Sequence, residues 1–303
     1  MEIEAIAHGT GVIVDAIDKG ASFAIDLEVK AMARLLEDEK GIKARDKTAK
    51  DIAKGVLKFF GYEYGLEIET ESEIPPDNGF GEKEATAVAT ALSVLGVLAR
   101  KHGVINELRI DKYLRGQFLI IDEKIVDKKC IIDLCMGSGV QFDRASASLY
   151  GGFIIANNKK REILRRGEME SLHAVILIPK GLEGVNANRS SFKNELELTW
   201  NEALRGNLYT AMRLNSLLYG NKNAKKMLDA GALTVSRSRE GGVIALSRDE
   251  DKIRDIVNSV KREGRILIQR VMNTEAKILV KPKKVVKIRE FLELKGDQEF
   301  NWL

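Results

Sequence analysis

A loop with two glycines, followed by an apolar helix, is the stretch of this sequence whose residue types best suit the binding of an anion. Gly79 and Gly81 follow two prolines, and the apolar run 87–98 begins shortly after them. The first N–H groups of a helix have no partner within the helix, and glycine lets a phosphate approach them closely. Two glycines before a helix are also common in ordinary turns. The loop alone therefore leaves both a phosphate site and a simple turn open.

The elements that position this loop are predicted from the spacing of hydrophobic residues. Residues 3–34 have the pattern strand, glycine turn, strand, and residues 47–60 have helical spacing before Gly61, a typical C-terminal stop. A further strand over 62–74 leads into the loop. The helix after the loop, residues 84–101, is rich in Ala, Val and Leu, so we expect most of its surface to be buried.

The second half alternates helices and strands, which is typical of an α+β sandwich. The polar stretch 157–170 separates it from the first half, so we predict a boundary near residue 165 and two domains, 1–165 and 166–303. One long amphipathic helix is predicted over 195–218. Shorter elements are predicted over 173–179, 223–229, 243–246, 250–261 and 266–269.

The composition is that of a globular protein with a packed core. The 303 residues are 44% hydrophobic and 31% charged, and 49 Lys and Arg against 45 Asp and Glu give a formal net charge of +4. This small excess is spread along the chain, whereas proteins that bind nucleic acid usually carry a concentrated basic face. We therefore expect a small anionic ligand and no nucleic-acid partner.

Cysteine and histidine are too few to build a metal or disulfide framework. Cys130 and Cys135 are the only cysteines, and three histidines are scattered along the chain. The first four residues are acidic rather than typical of a signal peptide, and no apolar run reaches the roughly eighteen residues that span a bilayer. We expect a cytoplasmic protein with no membrane segment.

Several separate segments of the chain carry a family pattern. Residues 9–17 read Gly-Thr-Gly-Val-Ile-Val-Asp-Ala-Ile, residues 23–27 read Phe-Ala-Ile-Asp-Leu, and residues 143–152 read Asp-Arg-Ala-Ser-Ala-Ser-Leu-Tyr-Gly-Gly. Residues 201–207 read Asn-Glu-Ala-Leu-Arg-Gly-Asn, and Leu-Asn follows at 214–215. In this order, the segments resemble the archaeal shikimate kinases of the GHMP superfamily, named for galactokinase, homoserine kinase, mevalonate kinase and phosphomevalonate kinase.

The resemblance implies a fold and a reaction. The implied fold is the two-domain α+β GHMP kinase fold, with an N-terminal domain like domain 2 of ribosomal protein S5 and a C-terminal ferredoxin-like sandwich. The implied reaction transfers the γ-phosphoryl group of ATP, with Mg²⁺, to a hydroxyl of shikimate or a similar small hydroxy acid, a step of aromatic amino acid biosynthesis. The magnesium ligands and the oligomeric state are not indicated.

Asp143 is the residue that the resemblance implies for the chemistry. It matches the first aspartate of the family's Asp-Asp-Ala-Thr-Ala-Ser-Tyr-Tyr-Gly-Gly, and a carboxylate there can orient or deprotonate the acceptor hydroxyl. Taken alone, its local sequence favours a cap of the following helix, and the resemblance reverses that preference. The second family aspartate is replaced by Arg144. Arg144 is a charge reversal next to the implied reaction centre, and a phosphate clamp is the alternative.

Four residues are implied on the acceptor side of the site. Arg189, in the pair Asn188-Arg189, suits the carboxylate of a hydroxy acid, and a surface salt bridge is the alternative. Asp15, Asp26 and Asn215 lie in matching segments and are expected to line the acceptor pocket.

On the nucleotide side, both glycine-rich motifs differ from the family. The family loop carries three serines where this chain has Glu82, Lys83 and Glu84, and the second motif is altered over 236–242. Two carboxylates favour the helix dipole but repel a triphosphate. Lys83 is the nearest cation to offset this repulsion, and Thr86 is the nearest hydroxyl. We therefore assign the ATP phosphates to Gly79, Gly81, Lys83 and Thr86.

These differences keep a second hypothesis open. A relative that no longer uses ATP would retain the fold and bind a metabolite or a protein partner. Glu82, Glu84, Arg144 and the altered loop favour that alternative, whereas Asp143 and the length of the match favour the kinase.

Overall fold

Two long antiparallel strands and a buried helix form the centre of the structure. The computed structural model describes residues 1–37, 39–110, 113–181, 192–220, 222–280 and 284–287. The strands are β1 (Glu2–Val14), β2 (Lys19–Leu36), β3 (Ile42–Ala44), β4 (Gly65–Ser72), β5 (Gly103–Ile110), β6 (Tyr113–Ile121), β7 (Lys124–Val126), β8 (Phe153–Asn157), β9 (Glu162–Gly167), β10 (His173–Pro179), β11 (Thr234–Arg237), β12 (Val243–Ser247), β13 (Gly264–Arg270), β14 (Lys277–Ile278) and β15 (Lys284–Lys287). The helices are α1 (Lys47–Phe60), α2 (Glu82–His102), α3 (Lys128–Cys135), α4 (Phe142–Tyr150), α5 (Lys193–Arg205), α6 (Leu208–Leu218), α7 (Lys222–Asp229) and α8 (Glu250–Val260).

The strands form three sheets. The first has seven strands in the order β14-β1-β2-β4-β3, with β8 paired to β2 and β9 paired to β8. The second has the antiparallel order β11-β12-β10-β13, and the third has the order β15-β5-β6-β7. Since β14 and β15 join sheets of the first half, the chain returns to that half after β13. The boundary near residue 165 stays a prediction.

Helix α2 is the core of the first half, as its composition predicted. Every residue from 84 to 99 is buried, and the helix packs against β1, β2, α1 and α4. Small and branched apolar residues on all sides let sheet and helices approach it from several directions. Its N-terminus, where the glycine loop ends, is therefore held rigidly.

The second sheet buries both of its faces because successive side chains of a strand point to opposite sides. On β10, Ala174 and Ile176 join the main core, whereas Val175 and Leu177 pack with α7 and α8 in a smaller cluster. This sheet is therefore fixed against the first half of the molecule, which brings its loops to the glycine loop.

Two sequence predictions about elements are corrected by the structure. The long helix over 195–218 is two helices, because the chain turns at Gly206, whose φ of 93° ends α5 in the left-handed region. The polar stretch 157–170 is not a simple connection, since β8 and β9 pair as a hairpin. No described helix combines the length and the apolar character that a membrane crossing requires.

Candidate active site

The glycine loop is anchored to β1 and ends at the N-terminus of α2. Gly79 and Gly81 have φ of 77° and 73°, which glycine adopts without strain. The carbonyl of Phe80 accepts a hydrogen bond from Thr10 N at 2.8 Å, and the Phe80 ring is buried. Gly81 is the N-cap residue, and no described side chain caps this end of α2. The first N–H groups of α2 are thus available to an anion.

A second loop, residues 238–242 between β11 and β12, lies directly against the first. Ser238 Oγ donates to the carbonyl of Asn78 at 2.9 Å, and Gly242 N donates to Ser238 Oγ at 3.1 Å. A methyl group built on Gly79 would overlap the side chains of Ser238 and Glu240. Any side chain at position 79 would therefore push the two loops apart.

Asp143 lies in the first turn of α4 and is 2% exposed. Its Oδ2 accepts a hydrogen bond from Ser22 Oγ at 2.5 Å, and its Oδ1 accepts one from the Asn158 side-chain amide at 2.9 Å. The N-cap residue of α4 is Gln141. The carboxylate is therefore bonded to residues outside α4 and does not cap this helix.

The environment of Asp143 makes it a better base than a solvent-exposed aspartate. Burial raises the pKa of its carboxyl group, and the bonds from Ser22 and Asn158 and the charge of Arg144 oppose the rise without reversing it. Gly20 allows this packing, since a methyl group there would overlap the carboxylate. A raised pKa brings the group closer to the pH at which a general base works.

Next to Asp143, Arg144 joins the two halves of the molecule through an ion-pair network. Its Nη2 lies 3.0 Å from Asp15 Oδ2 and 3.4 Å from Glu240 Oε2. Arg239 adds two contacts to Asp15, from its backbone N at 2.7 Å and from Nε to Oδ1 at 2.6 Å. The side chain of Asp15 is fully buried. The charges are paired, as buried charges must be.

Asn215 braces this network from α6. Its Oδ1 accepts from Asp15 N at 2.9 Å, and its Nδ2 donates to Ser236 Oγ at 3.0 Å and to the carbonyl of Arg237 at 2.8 Å. Tyr219 adds a hydrogen bond from its hydroxyl to the carbonyl of Asp15 at 2.5 Å. The structure thus places Asp15 and Asn215 together beside the cluster, where both already bond to protein groups.

The two glutamates of the glycine loop point to different neighbours. Glu84 is buried, and its Oε1 accepts from Gln141 N at 3.1 Å, on the side of Arg144. Glu82 is half-buried, and burial together with Asp77 raises the pKa of its carboxyl group, while a hydrogen bond with Ser72 opposes the rise. The repulsion expected from the sequence is therefore offset for Glu84, by the hydrogen bond from Gln141 N and the charge of Arg144.

The remaining predicted residues are less central. Lys83 is exposed, with Nζ 3.4 Å from the carbonyl of Gly139, at the rim of the cluster, and Thr86 is buried further along α2. Asp26 lies four residues beyond Ser22 on β2, about 13 Å along a strand, and it lines a separate cleft of about 620 Å³ with His173. The structure therefore does not group Asp26 with Asp143. Arg189 lies outside the described residues.

The cluster carries more negative than positive groups. Two guanidinium groups, of Arg144 and Arg239, are surrounded by four carboxylates. These carboxylates belong to Asp15, Glu84, Asp143 and Glu240. An excess of carboxylate fits a divalent cation that arrives with a triphosphate, because Mg²⁺ is usually held by one or two carboxylates plus phosphates and water. The described residues contain no ready-made group of three or more metal-binding side chains.

Comparison with known sequences supports the resemblance seen in the sequence. Archaeal proteins named shikimate kinase match this chain at 25–29% identity. The one from Methanothermobacter thermautotrophicus is 26% identical over 295 residues, which cover 89% of this chain and 96% of that protein. No protein-family model matches the chain.

Solved structures show which fold this is. Homoserine kinase from Cytophaga hutchinsonii superimposes with a TM-score of 0.68 at 19% identity, covering 92% of this chain and 97% of that one. The mevalonate kinase of Methanococcus jannaschii superimposes with a TM-score of 0.62 at 16% identity, covering 90% and 98%. The chain has the GHMP kinase fold. The predicted α+β GHMP class and the predicted resemblance to archaeal shikimate kinases are both confirmed.

Within this GHMP kinase fold, several site residues were missed by sequence reasoning. Ser22 is a polar residue in an otherwise apolar stretch of β2, which is a usable signal, whereas Asn158 looks like an ordinary turn residue. Arg239 and Glu240 are charges within an altered glycine-rich loop, and only their partners reveal their place. The sequence signal for Arg239 and Glu240 is that charged residues stand where the loop of the similar family has small ones.

Proposed function

We propose that this protein is an ATP-dependent, cytoplasmic kinase that phosphorylates a hydroxyl of a small hydroxy acid, with shikimate as the first candidate. One observation carries the proposal: the glycine loop at the N-terminus of α2 and the buried carboxylate of Asp143 belong to one cluster, linked by Arg144 and Glu240. Similarity to proteins named shikimate kinase over most of the chain supports the choice of acceptor.

In the proposed reaction, the residues of this chain position two substrates and move one proton. The N–H groups at the start of α2 hold the phosphates. The acceptor oxygen forms a bond to the γ-phosphorus while the bond from that phosphorus to the β–γ bridging oxygen breaks, and ADP leaves. Asp143 takes the proton of the acceptor hydroxyl. Ser22 and Asn158 hold the carboxylate in position before the acceptor arrives.

Magnesium would enter this site together with the nucleotide. Glu84 lies in the first turn of α2, with its carboxylate bonded to Gln141 N on the side of Arg144, so we propose it as the protein ligand of the ion. Bound there, the ion supplies charge neutralisation between the phosphates and the carboxylates. This role also removes the repulsion that the sequence predicted.

We propose three residues of this chain for recognition of the acceptor. Arg189 is the proposed partner for the acceptor carboxylate, because a planar guanidinium binds a carboxylate through two hydrogen bonds. Asp15 and Asn215 are proposed to shape the wall of the pocket, since both are buried and bonded to protein. Asp26 is left out of this pocket because it lies in another cleft.

A non-catalytic relative is the second candidate, and one observation favours it. The carboxylate of Glu240 lies against Gly79, where a phosphate would approach the loop. If Glu240 cannot leave, ATP does not bind, and the protein binds a metabolite or protein partner in another way.

Calorimetric titration of Mg·ATP, with and without shikimate, separates these two functions. The kinase proposal predicts binding at or below millimolar concentration and ADP release that depends on shikimate. A panel of other hydroxy acids identifies the acceptor if shikimate is inactive while ATP still binds. Absence of ATP binding at millimolar concentration, in protein whose thermal unfolding is cooperative, would overturn the kinase proposal.

A further inference from the structure

Arg144 reaches the glycine loop through a carboxylate that belongs to the protein itself. Glu240 Oε2 lies 3.4 Å from Arg144 Nη2, and it is also the atom that a methyl group on Gly79 would overlap. One negatively charged oxygen is thus held between a guanidinium and the glycine of the loop. An oxygen of a bound phosphate would meet the same two neighbours.

The guanidinium has donors left for such a phosphate. Both recorded contacts of Arg144, to Asp15 and to Glu240, use Nη2, and a guanidinium carries five N–H donors on three nitrogens. In the described part of the chain, Nη1 and Nε of Arg144 donate no hydrogen bond. Asp15 fixes one side of the group, so the remaining donors are held in a defined orientation.

The two ion pairs of Arg144 differ in how easily they open. The Asp15 side chain is fully enclosed and is held by two further contacts from Arg239, whereas the Glu240 side chain is 35% exposed. Glu240 also lies on a loop rather than a helix or strand. An incoming anion can therefore replace Glu240 without breaking the pair between Arg144 and Asp15.

From these contacts, we infer that Arg144 is a phosphate-binding residue of this site and that Glu240 is its built-in competitor, which a phosphate group of the nucleotide must displace. The inference rests on the proposed function and adds to it a residue for which the resemblance implies no such role. Arg144 then neutralises the phosphoryl group between the start of α2 and Asp143. In the absence of nucleotide, Glu240 keeps the guanidinium paired.

A double-mutant cycle with two probes tests this inference. The probes are Mg·ADP and magnesium tripolyphosphate, which has no nucleoside, and the readout is their dissociation constant by calorimetry. Glu240→Gln should tighten binding about tenfold, and Arg144→Gln should weaken it about ten- to hundredfold, as expected for a charged hydrogen bond. In the double variant Arg144→Gln/Glu240→Gln, the gain from Glu240→Gln should disappear. Arg144→Lys, which keeps the charge but loses the planar fork, should lie between wild type and Arg144→Gln.

The matched control is Glu170→Gln, which removes a carboxylate from an exposed ion pair with Arg248 and leaves the loop untouched. It should leave both dissociation constants unchanged. If Arg144→Gln does not fold because Asp15 loses its partner, Glu240→Gln and Arg144→Lys still decide the question. The inference is overturned if Glu240→Gln fails to tighten binding, or if its gain persists in full without Arg144.

Turnover with shikimate, measured on the same preparations, keeps this inference separate from the proposed function. If the dissociation constants show the expected coupling between Arg144 and Glu240 but shikimate is not turned over, the phosphate site is supported and the assigned acceptor is wrong. If shikimate is turned over but the dissociation constants show no such coupling, the kinase is supported and the role of Arg144 is wrong. If neither probe binds any variant, the inference is wrong.

Discussion

The hydroxyl of Ser22 and the carboxylate of Asp143 are hydrogen-bonded at 2.5 Å, although 121 residues separate them in the chain. Asn158, which follows β8, bonds the other oxygen of the same carboxylate. Because β2 pairs with β8, the two donors reach Asp143 from neighbouring strands. This arrangement orients the carboxylate before any substrate binds, which is what a general base requires.

Replacement of Asp143 by Asn should abolish most of the activity and preserve the fold. General-base assistance contributes about 10²- to 10⁴-fold, so we expect kcat to fall by that factor while the dissociation constant of Mg·ATP changes little. Asp133→Asn, on the exposed side of α3, is the control and should retain full activity. An unchanged kcat in Asp143→Asn would remove this residue from the mechanism.

The raised pKa of Asp143 should appear in the pH dependence of both rate and stability. The base must be ionised, so kcat/KM should fall as the pH decreases through a pKa above the ordinary aspartate value of about 4. Burial raises the folded-state pKa, so in this window the folded state binds more protons than the unfolded state, and the contribution of Asp143 to stability decreases as the pH rises. In urea unfolding across this pH range, the free energy of unfolding should decrease less with rising pH in Asp143→Asn than in the wild-type protein. Identical slopes in the two proteins would contradict the assignment.

Asp15→Asn should destabilise the protein strongly. Its fully buried carboxylate pairs with both Arg144 and Arg239, and removing one partner of a buried ion pair costs about 3 to 5 kcal/mol because a buried charge is left uncompensated. The measurement is the free energy of unfolding in urea. Glu2→Gln, which breaks an exposed pair with Arg34, should leave the unfolding midpoint unchanged within error. Equal effects of the two substitutions would show that the buried network is not stabilising.

Two glycine-to-alanine substitutions should have opposite effects. Gly79 has a φ of 77°, so Gly79→Ala strains the backbone by about 1 to 2 kcal/mol. The added methyl group would also take the place next to Arg144 where a phosphate oxygen is proposed to bind, so Mg·ADP binding should weaken. Gly55 lies in α1 with open space around a built methyl group, so Gly55→Ala should stabilise the protein by about 0.5 to 1 kcal/mol. Thermal unfolding and calorimetry measure both effects. Unchanged Mg·ADP binding in Gly79→Ala would mean that the loop does not hold phosphate.

Local patterns in the sequence were enough to predict α1 and α2. Helix α1 begins after Asp46, whose side chain caps the helix by accepting from Ala49 N, and it ends at Gly61 in the left-handed region. The apolar run after the glycine loop predicted a helix over 84–101 with most of its surface buried, and residues 84–99 of α2 are buried. Such features depend on neighbours within a few residues, so spacing alone reveals them. The several segments that resemble archaeal shikimate kinases predicted the overall fold.

The site was decided only by the tertiary structure. From the sequence, Arg144 was a charge reversal and Glu84 a repulsive charge, because a local window cannot say whether a charged side chain faces water or a partner of opposite charge. The partners of Arg144, Asp15 and Glu240, lie 129 and 96 residues away. Sheet pairing and the packing of the second sheet against the first half bring them together, and that packing turned Arg144 and Glu240 from anomalies into the centre of the candidate site.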